Sequence, residues 1–168
     1  MPSVEKYARI ENERRFLLPP LDEELLKMNL PKRVILDNYI LDTSLRLREV
    51  DSEGQKVYKL TKKTSLSPGR EQITTIYLSQ EEYQLLNKLR AIIVSKIRLI
   101  ATYNEIMIGI DCYGNEEDEL LVAEIEFETE EQMNVFVMPI PYQMEVTGKD
   151  EFSGFALANR FGWQNRRF

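Results

Sequence analysis

The sequence predicts an antiparallel α+β fold rich in strands. Segment after segment alternates apolar and polar residues with period two, the connections are short and carry residues that favour reversal, and only a few short stretches have helix-start signals. Many consecutive antiparallel strands avoid exposed edges by closing into a barrel.

In chain order, strands are expected near 7–17, 34–42, 44–51, 55–63, 71–78, 94–102, 105–112 and 119–128, with a further one near 142–147. A first helix is expected over 21–28, after the Pro19-Pro20 pair. Ser79 stands as an N-cap for a helix over 80–90, Thr129 for one over 130–136 and Ser153 for one over 154–161. A short side-chain oxygen at that position accepts from an N–H that the helix leaves unpaired. Asp51-Ser52-Glu53-Gly54, Ser67-Pro68-Gly69 and Tyr113-Gly114-Asn115 supply reversals. No repeat or low-complexity stretch divides the chain, and its 168 residues, 43% of them hydrophobic, suit a single domain over 1–168.

Composition then narrows the chemistry. The chain has no histidine, which removes His-based nucleophilic triads and the usual zinc-ligand sets, and its one cysteine, Cys112, cannot form an internal disulfide. No run approaches the roughly 18 apolar residues of a membrane span, and MPSVEKYARIENERR has no apolar stretch of the secretory kind. A cytoplasmic protein without a membrane partner is expected. Acids number 28 against 22 bases, for a net charge of −6, which argues against nucleic acid as a partner. A polyanion can still bind in a locally basic pocket.

Residues two apart on a strand point the same way. On that basis the first strand places Glu11, Glu13 and Arg15 on one face, and the eighth places Glu124, Glu126 and Glu128 opposite Ala123, Ile125 and Phe127. The third strand presents Arg46 and Arg48, the fourth Lys59, Thr61 and Lys63, and the sixth Lys96 and Arg98. An ordinary solvent face accounts for any one of these pairs. Five same-sign pairs weaken that account, because solvated faces mix signs. If the faces turn inward, the charges need compensation, with a metal ion as the natural complement of the acids and a polyanion as that of the bases. Hard divalent cations take oxygen ligands and bridge carboxylates to phosphates, while Arg and Lys hold phosphate oxygens.

Glu11-Asn12-Glu13-Arg14-Arg15 resembles the E-x-E-x-K signature that opens CYTH domains, the superfamily of class IV adenylate cyclases, thiamine triphosphatases and inorganic triphosphatases. The likeness continues in order through Tyr39, Leu45-Arg46-Leu47-Arg48, Lys59-Leu60-Thr61-Lys62-Lys63, Lys96-Ile97-Arg98, Asp111 and Ala123-Glu124-Ile125-Glu126-Phe127. Glu145-Val146-Thr147-Gly148 resembles the closing E-V-T/S-G segment. The resemblance implies a closed eight-stranded antiparallel barrel, a tunnel with short helices packed outside. It implies Mg²⁺ or Mn²⁺ held by Glu11, Glu13, Glu124 and Glu126, with Asp111 as a further ligand. It implies a triphosphate gripped by Arg46, Arg48, Lys59, Lys63, Lys96 and Arg98, with Arg15 and Tyr39 at the catalytic centre. The implied function is metal-dependent hydrolysis of inorganic triphosphate or a small organic triphosphate. A cyclase making cyclic AMP and pyrophosphate from ATP, or a non-catalytic polyphosphate- or nucleotide-binding module, is the alternative. The implied partner is a triphosphate-containing small molecule, and a homodimer is compatible with it.

Two positions depart from the family pattern. Arg15 stands where the signature ends in Lys, and a guanidinium keeps its proton and cannot act as a base. Glu151 stands where a Lys is usual, with Lys149 nearby in another register. Trp163, Phe161 and Phe168 read as packing or a surface anchor, Cys112 as a structural thiol, and the acidic run 116–119 as a solvated loop.

Overall fold

The computed structural model describes residues 6–22, 28–115 and 117–165. The expected helix over 21–28 falls largely on 23–27, outside the described residues, as do Glu116 and Phe168. The strands are β1 (Arg9–Leu18), β2 (Lys32–Ile40), β3 (Leu45–Ser52), β4 (Gln55–Ser67), β5 (Arg70–Leu78), β6 (Ala91–Tyr103), β7 (Ile106–Tyr113), β8 (Leu120–Phe127), β9 (Met144–Glu145) and β10 (Trp163–Gln164). Hydrogen bonding runs β6-β2-β3-β4-β5-β1-β8-β7 and returns from β7 to β6, so eight antiparallel strands close into a barrel. β9 and β10 are short additions on β1 and β6.

Turn chemistry sets the element ends. β2 stops at Ile40, short of the expected 42, because Asp42 adopts a left-handed φ of 61° and reverses the chain. Asn104 and Glu105, both at positive φ, join β6 to β7 by the two-residue turn that matches strand twist. β4 outruns the expected 63 and carries Ser65 and Ser67 onto the face of Lys63, whereas the strand expected near 142–147 shrinks to two residues.

Helices α1 (Gln80–Leu86), α2 (Glu130–Val135) and α3 (Gly154–Phe161) begin at the expected caps. Ser79 Oγ accepts from Glu82 N at 3.2 Å while the Glu82 carboxylate accepts from Ser79 N at 2.7 Å, and Thr129 with Gln132 repeats this reciprocal pair. α1 ends at Leu86 rather than running to 90, with Asn87 as its C-cap.

Apolar faces point mostly outward and are covered by the rest of the chain. α1 lays Tyr83 over Ile40 and Leu47. The segment after α2 brings Phe136, Met138 and Ile140 over Phe16, Ile108, Ile110 and Ile125. Arg14, on this outer side, donates two hydrogen bonds of 2.8 Å to Glu145 and one of 2.7 Å to the Phe136 carbonyl, tying β1 to β9 and to the end of α2. α3 behaves differently. Its Leu157 and Ala158 pack on Val94, Tyr113, Val122 and the partly buried Leu17 and Tyr39, which alternation assigns to the inner face. α3 therefore stoppers one end of the barrel on the side of β1, β6, β7 and β8. Among the described residues no helix is long and apolar enough to cross a membrane.

Candidate functional site

Inside the barrel, β3 contributes Arg46 and Arg48 and β6 contributes Lys96 and Arg98 to the lining of one cavity of about 440 Å³. Cations in an enclosed space need counter-charge. Two buried aspartates on neighbouring strands supply it. Asp37 on β2, 1% exposed, accepts from Arg48 Nε at 2.6 Å and from Nη2 at 2.7 Å, with Arg46 Nε 3.7 Å away. Burial opposes charge on Asp37, but Arg48 and Arg46 outweigh it and hold the carboxyl well below the usual aspartate range. Asp111 on β7, 0% exposed, accepts from Lys96 Nζ at 2.5 Å and from Arg98 at 2.6 and 2.7 Å. Arg98 crosses over Gly109 to reach Glu124 on β8, and a Cβ at Gly109 would stand 3.2 Å from Arg98 Cδ. The glycine there serves a close approach, not a turn.

The acids meet along β1 and β8, where Glu13 lies opposite Glu126 and Arg15 opposite Glu124. Glu11 accepts from Lys63 Nζ at 2.6 Å, and Lys63 also donates to Glu71 at 2.8 Å. Glu124 contacts Arg98 Nη2 and lies 3.1 Å from Arg15 Nη2. Burial works against its charge, yet Arg98, Lys96 and Arg15 together keep its carboxyl well below the usual glutamate range. Glu13 is in the opposite position. Its nearest cation in the described set is Arg15 Nε at 3.8 Å, and burial together with repulsion from Glu124 pushes its carboxyl up to about 8. Arg15 Nη1 donates to the Phe152 carbonyl, tying β1 to the segment before α3, while its Nε is buried without a hydrogen-bond partner. Glu124 and Glu13 outweigh burial and raise the Arg15 guanidinium further above its ordinary value. Burial and Asp37 push the Tyr39 phenol up as well. Its hydroxyl sits against Gly154, where a Cβ would approach to 2.0 Å.

The structure thus brings Glu11, Glu13, Arg15, Tyr39, Arg46 and Arg48 together with Lys63, Lys96, Arg98, Glu124 and Glu126 around one cavity. Two expected site residues stand apart. Lys59 shares the inner face of β4 but lies nearer its other end, with Nζ 5.2 Å from the centre of the exposed Tyr77 ring. Asp111 is not among the residues that line the cavity, and both its oxygens accept from cations that are, Lys96 and Arg98. Many of the inward charges pair with one another, through Asp37, Asp111, Glu11 and Glu124, while Arg15 Nε and Arg46 Nε are buried without hydrogen-bond partners. Lys149 lines the cavity and Glu151 does not, which settles which of the two faces it. Asp37, Glu71 and Tyr113 were not anticipated as site residues. Asp37 left one signal, a lone acid in the apolar run Val34-Ile35-Leu36-Asp37.

Donor chemistry at this site suits a hard cation. Glu13 and Glu124 offer partly buried carboxylate oxygens on adjacent strands, and Glu13 lacks a close cationic partner, which is the feature a divalent ion would satisfy. Among the described residues no three carboxylates already converge as a ligand cluster, because Glu11 is drawn to Lys63 and Glu126 is exposed.

No protein-family model and no curated protein matches the chain. Solved structures do. The inorganic triphosphatase NE1496 is 20% identical, with a TM-score of 0.56 over 88% of this chain and 93% of that one. A Bacillus halodurans protein described as a candidate adenylate cyclase is 18% identical, with a TM-score of 0.57 over 83% and 97%. The PH1819 protein of Pyrococcus horikoshii is 19% identical, with a TM-score of 0.51 over 74% and 82%. The barrel closure, the inward cations and acids, and these likenesses agree: the chain has the CYTH, or triphosphate tunnel, fold.

Proposed function

We propose that this tunnel binds a triphosphate group and hydrolyses it with the help of Mg²⁺ or Mn²⁺. The observation that carries this reading is the pair of cation clamps, Arg46 with Arg48 on Asp37 and Lys96 with Arg98 on Asp111, facing one cavity that also holds Glu13 and Glu124. The aspartates fix the cations before any ligand arrives, so little ordering remains when phosphate oxygens replace water. Arg forks address two phosphate oxygens at once, and Lys96 acts as a point charge. Glu13 and Glu124 would hold the ion, with Glu11 and Glu126 joining if Glu11 gives up Lys63. A bound ion would supply Lewis-acid polarisation of the phosphate oxygens and orient the attacking group.

The chain's own residues restrict the proton chemistry. Arg15 remains charged and stabilises negative charge developing near Glu124, without serving as a base. Tyr39 keeps its proton and can donate a hydrogen bond to a phosphate oxygen. Lys149 at the cavity wall adds a cation from the segment before α3. Catalysis on this reading is positioning and electrostatic stabilisation of phosphoryl transfer.

The test is product analysis with tripolyphosphate and ATP, in Mg²⁺ or Mn²⁺, using Glu13→Gln as control. Metal-dependent orthophosphate release that Glu13→Gln abolishes supports hydrolysis. Cyclic AMP with pyrophosphate from ATP would replace hydrolysis by cyclisation, and binding without any product would make the domain a triphosphate sensor.

A further inference from the structure

Tyr113 ends β7 on the inner face that it shares with Asp111, and its ring stands against Phe161 of α3, with centroids 5.9 Å apart. The residue is 2% exposed, yet it belongs to the cavity wall together with Lys96. Its hydroxyl accepts from Lys96 Nζ at 3.2 Å, and the same ammonium donates to Asp111 Oδ2 at 2.5 Å. A phenylalanine ring would fill the same apolar surroundings of Val94, Val122 and Leu157, so packing alone gives no reason for an oxygen there.

The two clamps differ in what fixes their cations. Arg48 is a rigid fork, and the two bonds it donates to Asp37 set its plane. Lys96 carries a point charge on a flexible four-carbon stem, and a single bond to Asp111 would leave the ammonium free to turn. A second acceptor removes that freedom. An ammonium has three donors, so with two of them on Asp111 and Tyr113 the third is left for the cavity that Lys96 lines. Resting on the triphosphate-binding reading, we propose that Tyr113 is a positioning residue whose hydroxyl aims Lys96 at the triphosphate, while Phe161 steadies the ring that carries it. Lys96 then has little freedom left to lose when a phosphate oxygen arrives.

The experiment is a double-mutant cycle, read by titration calorimetry with tripolyphosphate in wild type, Tyr113→Phe, Lys96→Met and the double variant. Tyr113→Phe deletes one oxygen and keeps the ring against Phe161. The expected result is about tenfold weaker binding in Tyr113→Phe, the scale of one hydrogen bond to a charged group. Made in the Lys96→Met background, the same substitution should change affinity by less than about twofold, because the group it acts through is gone. Tyr113→Phe binding as wild type does, or weakening binding equally in both backgrounds, overturns the assignment. The Lys96 ammonium resonance in protein carrying isotope-labelled lysine gives a second readout that does not depend on Lys96→Met folding. Tyr113→Phe should broaden that resonance, and an unchanged signal overturns the assignment as well. Failure of the wild type to bind tripolyphosphate overturns the underlying reading instead, which keeps the two failures distinct.

Discussion

Replacing Asp37 by asparagine keeps the shape of the side chain and removes the charge that anchors Arg48 at 2.6 and 2.7 Å and Arg46 at 3.7 Å. Removing one partner of a buried ion pair leaves the other charge unpaired, at a cost of about 3–5 kcal/mol. Arg48 still faces a cavity that admits water, so the lower figure applies, about 3 kcal/mol. In a chain of this size each kcal/mol moves Tm by roughly 2–4 °C, so the expected loss is about 6–12 °C at neutral pH. Sign and pH window follow from the depressed carboxyl. A group whose folded pKa lies below its unfolded value, about 4 for aspartate, contributes stability that is present above that value and is lost as pH falls toward the folded one. The Tm difference between wild type and Asp37→Asn should therefore stay constant from pH 8 to pH 5 and narrow only below about 4. Tripolyphosphate should restore more stability to the variant than to wild type, because the freed cations gain the partner they lack. Thermal melts across pH, with and without tripolyphosphate, read both effects. A Tm loss under about 2 °C, or a gap that closes already between pH 8 and 5, would refute the clamp argument.

Other substitutions probe separate parts of the account. Gly109→Val places a side chain where only 3.2 Å separates a Cβ from Arg98 Cδ, so tripolyphosphate affinity should fall at least severalfold in titration calorimetry. Arg14→Ala breaks the partly exposed pair with Glu145 and frees the Phe136 carbonyl, and calorimetric melts should show a loss of about 1–2 kcal/mol with triphosphate affinity unchanged. Ser79→Ala removes one reciprocal cap of α1 and should cost about 1 kcal/mol, again without touching the tunnel, as denaturant titration would report. Gly154→Val collides with the Tyr39 hydroxyl and should loosen the α3 stopper, read as faster hydrogen exchange in Leu157 and Ala158.

Much of this architecture was legible in local chemistry. The caps at Ser79, Thr129 and Ser153 were found because capping depends on one side chain and its own helix. The shared charged faces of β1, β3, β6 and β8 were legible because alternation and charge sign are both written along a strand, whereas their inward direction rested on the family resemblance. Depth was not legible. Lys59 and Lys63 have the same parity, and only the register of the closed barrel separates the one beside Tyr77 from the one bonded to Glu11. Asp37 was missed because the partners that make a buried acid tolerable, Arg46 and Arg48, sit on the neighbouring strand. The pairing of Asp111 with Lys96 and Arg98 was not legible, because these residues become neighbours only when β6 pairs with β7. The α3 stopper was hidden for a related reason. Val94, Val122 and Leu17 read as continuations of charged faces until a helix from the other end of the chain covers them.

If the tunnel works as proposed, the cation clamps and the Glu13–Glu124 pair form one triphosphate-and-metal site. A crystal structure of the protein with tripolyphosphate and Mn²⁺ tests it most directly, with anomalous scattering locating the ion. The account predicts phosphate oxygens in hydrogen-bond contact with Arg46, Arg48, Lys96 and Arg98, and Mn²⁺ on Glu13 and Glu124. Tripolyphosphate bound outside the tunnel, or Mn²⁺ held without either glutamate, would contradict it.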